Sequence, residues 1–219
     1  MSALTQPPLQ LNEHAFDVIA DALVDKGYAV LPNFLPITLA EGLLQELKGY
    51  QEEDFKRAAI GRLRDEHRNQ FVRKDNIRWL TPKRTHQQQF LSLMDSLKSA
   101  LNRRLFMGLF DYECHFAHYP PGAFYKKHLD AFKGRTNRVL STVCYLNPGW
   151  RREEQGQLVI YDPDTDQTLL KVTPLFGQMV IFLSEQFPHE VLPAQRDRYS
   201  IAGWFRVNTS INGIIDPSK

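Results

Sequence analysis

The chain has 219 residues, 42% of them apolar and 24% charged, with a formal net charge of +2 at pH 7. That length supports one domain with a sizeable core, and the composition excludes a disordered, fibrous or disulfide-stapled class. No apolar run approaches the ~20 residues that a spanning helix needs, and Met1–Pro8 lacks the basic and apolar regions of a secretory leader, so the cytoplasm is the expected location.

Residues 1–11 read as a disordered lead-in. Asn12 is placed to cap a first helix, in which Phe16, Ile19, Ala20, Leu23 and Val24 fall at helical spacing before Gly27. Residues 28–31 form a short apolar run of strand type. A second helix follows Pro36, with Leu39, Leu43, Leu44 and Leu47 as its apolar side and Gly49 as its stop. From Lys56 to Arg84 ten Lys/Arg stand against three acids, a local charge of +7 that leaves the remainder at −5. Such a block points to one sticky face rather than to a nucleic-acid-coating protein. A third helix spans about 85–106, with Phe90, Met94, Leu97, Leu101 and Leu105 on one stripe.

Beyond Tyr112 the period changes from 3.6 to two. Candidate strands are 112–119, 124–129, 138–146, 157–161, 168–172, 178–183, 189–193 and 198–207, punctuated by Pro-Pro-Gly, Asn-Pro-Gly and Asp-Pro-Asp turns. Eight short strands after three helices predict an α+β chain whose β-sandwich or roll carries the helices on one sheet. The expected organisation is a helical support over 12–110, including a loop at 55–75, a β core over 111–208 and a tail over 209–219, all one domain. Cys114 and Cys144 lie in strand-like runs and read as buried thiols rather than as a zinc ribbon or redox pair.

Three features carry chemistry. In a strand, His128 and Asp130 project from one face. Alone this is weak, because seven histidines and twenty-five acids in such a length give about one match by chance. His189 is the single imidazole in an apolar strand; by itself it is also consistent with a core histidine. Two histidines and a carboxylate together form the facial triad of non-haem iron sites, which leaves coordination positions open. Arg198 follows nine residues later, and its strand face continues with the small Ser200 and Ala202. One arginine above small residues suits a pocket that grips a carboxylate with a bidentate fork.

With these motifs in view the chain resembles the prolyl-hydroxylase-domain branch of the 2-oxoglutarate/Fe(II) oxygenases, over about Gly27 to Arg206. The matching stretches are Tyr119-Pro-Pro-Gly-Ala-Phe-Tyr-Lys-Lys-His128-Leu-Asp130, Arg138-Val-Leu-Ser-Thr-Val-Cys-Tyr145-Leu-Asn147, Gln155-Gly-Gln-Leu158, Pro188-His189-Glu-Val and Arg198-Tyr-Ser-Ile. The resemblance implies a double-stranded β-helix (jelly-roll) core. It implies His128, Asp130 and His189 as iron ligands, and Arg198, Tyr145 and Tyr119 as 2-oxoglutarate contacts. Trp79, Arg138, Asp75 and Arg73 would border a peptide substrate, with the 55–75 loop folding over it. The implied cofactors are Fe(II), 2-oxoglutarate and O2, with ascorbate as a supporting reductant, and no catalytic side chain acts beyond the iron centre. The implied reaction is trans-4-hydroxylation of a prolyl residue in a protein. The likeness extends to bacterial, pseudomonad members acting on elongation factor Tu, which makes that factor the implied partner of a monomeric enzyme. The alternatives are a ribosomal-protein prolyl hydroxylase, a nucleic-acid demethylase of the same superfamily, a non-oxidative metal-binding cupin and a zinc hydrolase.

Overall fold

The computed structural model describes residues 13–51, 53–55, 74–131, 137–208, 210–211 and 214–215. Asn12, Arg73 and most of the 55–75 loop lie outside these residues. Before the main β region the described residues include the helices α1 (Glu13–Lys26), α2 (Ile37–Lys48) and α3 (Thr85–Leu105). β1 (Tyr28–Leu31) lies between the first two, and β2 (Asn76–Trp79) before the third. Eight strands follow: β3 (Leu109–Tyr119), β4 (Tyr125–His128), β5 (Arg138–Tyr145), β6 (Leu158–Tyr161), β7 (Thr168–Val172), β8 (Met179–Leu183), β9 (His189–Val191) and β10 (Arg198–Val207). A short pair, β11 (Ser210–Ile211) and β12 (Ile214–Ile215), closes the described chain.

The strands form two antiparallel sheets. The major sheet runs β1-β8-β5-β10-β3-β2 and the minor sheet β4-β9-β6-β7. From β3 to β10 the chain passes repeatedly from one sheet to the other, which is the jelly-roll winding, and the helices add to it an α+β architecture. No helix among the described residues is long and apolar enough to cross a membrane.

Period two decides which side of the major sheet each residue faces. Cys114, Phe116, Leu140, Cys144, Ile181, Ile201 and Phe205 point to the helices, where they join Ile19, Leu43, Phe90, Met94 and Leu97 in the larger core. The alternate residues Ala117, Tyr119, Tyr145, Val180 and Phe182 face the minor sheet and meet Leu158, Ile160 and Val191 in a smaller core. The candidate residues Tyr119, Tyr145 and Arg198 lie on this second face. Both cysteines are free and buried, as their strand positions predict.

Three local differences from the expected pattern have physical causes. Val24 sits on the predicted stripe of α1 but is 74% exposed, because the burial of Phe16, Ile19, Ala20 and Leu23 already turns the helix edge to solvent. β2 was not foreseen: its Ile77 and Trp79 alternate, but they stand among charged residues on a sheet edge. β3 begins at Leu109 rather than 112, because Asn102 holds the Leu109 backbone on both sides with its side-chain amide.

Candidate metal centre and co-substrate pocket

β4 and β9 are antiparallel neighbours, and His128 stands directly opposite His189. Their rings are 4.3 Å apart. Each imidazole is fixed in the same way. Nδ1 of His128 bonds the carbonyl of Lys126 at 2.7 Å, and Nδ1 of His189 bonds that of Phe187 at 3.0 Å. With Nδ1–H donating to a carbonyl, Nε2 carries the free lone pair, the form in which histidine binds metals. Tyr125 stacks on His128 at 3.6 Å, and Phe182 meets His189 edge-on at 4.8 Å.

Asp130 completes the group. Its Oδ1 lies 3.6 Å from His128 Nε2 and its Oδ2 3.5 Å from His189 Nε2. These spacings are too long for good hydrogen bonds and suit atoms that share an ion. The three ligand atoms lie within 4.8 Å of one another. Burial alone would raise the Asp130 carboxyl, but His189, His128 and the Ser141 hydroxyl together outweigh it and hold the group well below the usual carboxylate range. Burial also lowers the His189 imidazole from its ordinary value against the pull of Asp130, so it stays neutral at neutral pH. An ionised carboxylate and two imidazoles with Nε2 turned to the same point are the donor set that a divalent transition ion requires.

Arg198 lies on the same sandwich interior and is 1% exposed. Its Nε donates to the Gly156 carbonyl at 2.9 Å and its Nη1 to Ser200 Oγ at 3.3 Å. Among the described residues its Nη2 has no hydrogen-bond partner, and neither has the buried hydroxyl of Tyr145. The guanidinium carbon is 5.1 Å from the Tyr119 ring and 5.2 Å from the Tyr145 ring. Burial raises the Tyr145 hydroxyl above its ordinary value despite the opposing Arg198 charge, which keeps it a proton donor. Gly156 is required here: it has a φ of +71°, and a Cβ would stand 2.8 Å from Ala194 Cβ. Buried donors left unpaired cost about 1–3 kcal/mol each, and a buried cation without a counter-charge costs several more. A carboxylate placed between Arg198 and Tyr145 removes both penalties, so the residues fit a keto-diacid. Neighbouring Arg196 and Arg206 are already matched, by Glu154 and Asp111 respectively.

On the other side of the triad lies an aromatic mouth. Trp79 meets His115 edge-on at 5.2 Å and lies 6.5 Å from Trp204. The Arg138 guanidinium covers Trp204 at 3.7 Å and bonds Glu113 Oε1 through Nε and Nη2 at 3.1 and 2.9 Å. Arg138 reaches this face through a bulge. Ser141 opposes Trp204 and Leu140 opposes Phe205, but Arg138, not Val139, opposes Arg206. The extra residue turns Arg138 inward. Asp75 is half-buried just ahead of β2, and Arg73 lies outside the described residues.

Sequence reasoning missed Trp204, Ser141, Ser184, Glu113, His115 and Tyr125. Trp204 was within reach, since it continues the Arg198, Ser200, Ala202 face at period two.

Residues 114–206 match the family model of the 2OG-Fe(II) oxygenase superfamily. A solved prolyl-4-hydroxylase from Pseudomonas putida is 40% identical, with a TM-score of 0.76 over 89% of this chain and 100% of that one. This chain belongs to the 2OG-Fe(II) oxygenase superfamily. The oxygenase also resembles a prolyl hydroxylase from Trichoplax adhaerens, solved with a hypoxia inducible factor peptide, at 29% identity and a TM-score of 0.74 over 92% of this chain and 94% of that one. Human prolyl hydroxylase EGLN3 is 26% identical over 90% of this chain and 85% of its own length. Membership makes the oxygenase dependent on Fe(II), 2-oxoglutarate and O2, and removes the cupin and zinc-hydrolase alternatives.

Proposed function

We propose that this oxygenase hydroxylates a prolyl residue of a protein substrate, with His128, Asp130 and His189 holding iron(II) and Arg198 and Tyr145 holding the far carboxylate of 2-oxoglutarate. The observation that carries this reading is the buried Arg198, without a carboxylate partner among the described residues, facing the unpaired Tyr145 hydroxyl beside the triad. When bound, the metal with 2-oxoglutarate and O2 supplies the oxidising chemistry: the keto acid becomes succinate and CO2 while one oxygen atom enters a C–H bond.

The chain's own residues supply position and exclusion. The carbonyls of Lys126 and Phe187 fix both imidazoles with Nε2 turned to the ion. Ser200 and the Gly156 carbonyl hold the Arg198 fork, so the co-substrate has one orientation. Phe182, Tyr125 and the small core around Tyr145 keep bulk water from the centre. Tyr119 closes the co-substrate pocket from β3. Trp79, Trp204 and Arg138 form an aromatic and cationic rim suited to a proline ring and an adjacent peptide carbonyl. Asp75 belongs to the same rim in this reading. Relatives bearing the names prolyl hydroxylase and prolyl-4-hydroxylase support proline and its C4 carbon as the target. Elongation factor Tu is the substrate that the sequence resemblance favours.

The test is to incubate the oxygenase with Fe(II), 2-oxoglutarate and purified elongation factor Tu, then map added oxygen by mass spectrometry. The expected result is one added oxygen on a proline, identified as trans-4-hydroxyproline after hydrolysis, with succinate formed in step. Oxygen on another residue type, or succinate that no proline-containing protein stimulates, would reject the prolyl assignment. Turnover of a different protein's proline would reject the factor alone.

A further inference from the structure

We infer that Ser141, itself braced by Ser184, is a positioning residue that presents Asp130 to the metal as a one-oxygen ligand. This rests on the metal-site reading above. Ser141 lies on β5 of the major sheet, between Val143 and the Val139 bulge, and faces Trp204 across β10. Its Oγ is 2.6 Å from Asp130 Oδ2 and 2.9 Å from Ser184 Oγ. Ser141 is 1% exposed and Ser184 is fully buried.

The direction of both bonds follows from counting protons. A carboxylate bound to a metal has no proton to give, so the single Ser141 proton goes to Asp130. Ser141 Oγ then accepts, and the proton between the two hydroxyls belongs to Ser184. The relay therefore points one way, from Ser184 through Ser141 to Asp130. The last bond is charge-assisted and fixes the rotation of the carboxyl group.

The arrangement matters because the two histidines and the acid are supported differently. His128 and His189 are paired residues of the minor sheet. Asp130 follows the end of β4 and has no ladder partner of its own. Ser141 supplies the missing support from the opposite sheet. Both oxygens lie near the imidazoles, Oδ1 3.6 Å from His128 Nε2 and Oδ2 3.5 Å from His189 Nε2. Because Ser141 already holds Oδ2, Oδ1 is the oxygen left less encumbered for the ion, so the acid takes one position and leaves the remainder for the co-substrate and O2. Ser184 is set by its own backbone, whose N–H bonds the Val139 carbonyl at 3.0 Å. The same bulge that turns Arg138 inward thus also anchors the start of the relay.

The experiment titrates the metal-free enzyme with Mn2+ in the absence of 2-oxoglutarate, reading free Mn2+ by electron paramagnetic resonance. Ser141→Ala is expected to bind Mn2+ about 10–100-fold more weakly than wild type, the usual effect of losing an outer partner of a ligand. Ser141→Thr, which keeps the hydroxyl, is expected to bind close to wild type, and Ser184→Ala to fall between. Circular dichroism and thermal melts of each variant verify the fold. Ser141→Ala with wild-type Mn2+ affinity would overturn the positioning role. Ser184→Ala with wild-type affinity would overturn the relay, and it carries the test alone if Ser141→Ala does not fold. A wild-type enzyme that binds no Mn2+ would instead overturn the metal-site reading on which the inference depends.

Discussion

At the scale of single residues, the site separates into groups that bind and groups that hold them. Asp130→Ala removes the anionic ligand from between two imidazoles, so succinate production is expected to fall to background in a coupled assay. Arg198→Ala acts on a different quantity. It is expected to raise the 2-oxoglutarate concentration needed for half-maximal rate by at least about tenfold, the scale of one lost charge-assisted bond, while Mn2+ affinity stays near wild type. Unchanged co-substrate affinity would show that another cation does the gripping. Gly203 illustrates a purely spatial requirement. The Tyr112 hydroxyl crosses over it to bond Thr142 at 2.7 Å, and a Cβ at Gly203 would lie 2.2 Å from that oxygen. Gly203→Ala is therefore expected to cost about 1–3 kcal/mol in urea unfolding, with Mn2+ binding retained. The triad and Arg198 were legible because His189 and Arg198 begin apolar strands and because the His-x-Asp spacing of 128 and 130 reads without a ladder, Asp130 lying just past the end of β4. The inward turn of Arg138 was not, since the bulge at Val139 breaks the period of two, and no local composition marks it.

At the scale of elements, α1, α2 and α3 were readable from their apolar spacing, but the joints between them were not. The N-cap of α3, Arg84, makes no side-chain cap bond. Its first turn is instead capped from α2: Glu46 accepts from the His86 backbone at 3.2 Å, from His86 Nδ1 at 2.9 Å and from Gln87 at 2.9 Å. A carboxylate at a helix N-terminus also meets the positive end of the dipole. Glu46→Ala is expected to destabilise the fold by about 0.5–2 kcal/mol in thermal or urea unfolding, the range of a lost cap, with no change in metal affinity. Such a cap comes from a residue 40 positions away, so no window of sequence contains it. β2 escaped notice for a related reason. Its strand character depends on the edge of β3, which only the assembled sheet provides.

At the scale of the molecule, the eight-strand region and its α+β class followed from strand count and order, whereas the division of strands between two sheets required the fold itself. That division determines what a metal does to the whole. Two ligands come from the minor sheet, while the third is tied to the major sheet through Ser141. The helix-facing core, with Leu43, Phe90, Met94 and Leu97 fully buried, does not involve the site. Metal-free enzyme is thus expected to keep its circular dichroism spectrum, and Mn2+ at a hundredfold excess over its Kd to add about 2.7 kcal/mol of stability, reversed by a chelator. A melting temperature indifferent to Mn2+ would contradict the triad as a site. Among the described residues the four-residue β4 has one neighbouring strand, β9, and its register is irregular between Tyr125 and His128. A strand so lightly tied opens locally far more often than the sheet interior. Amide protons of β4 should accordingly exchange with deuterated solvent early in the apo state and late once the ion is bound, while those of β5 and β10 keep the same pace in both. The edge strand would then serve as the molecule's own reporter of metal occupancy.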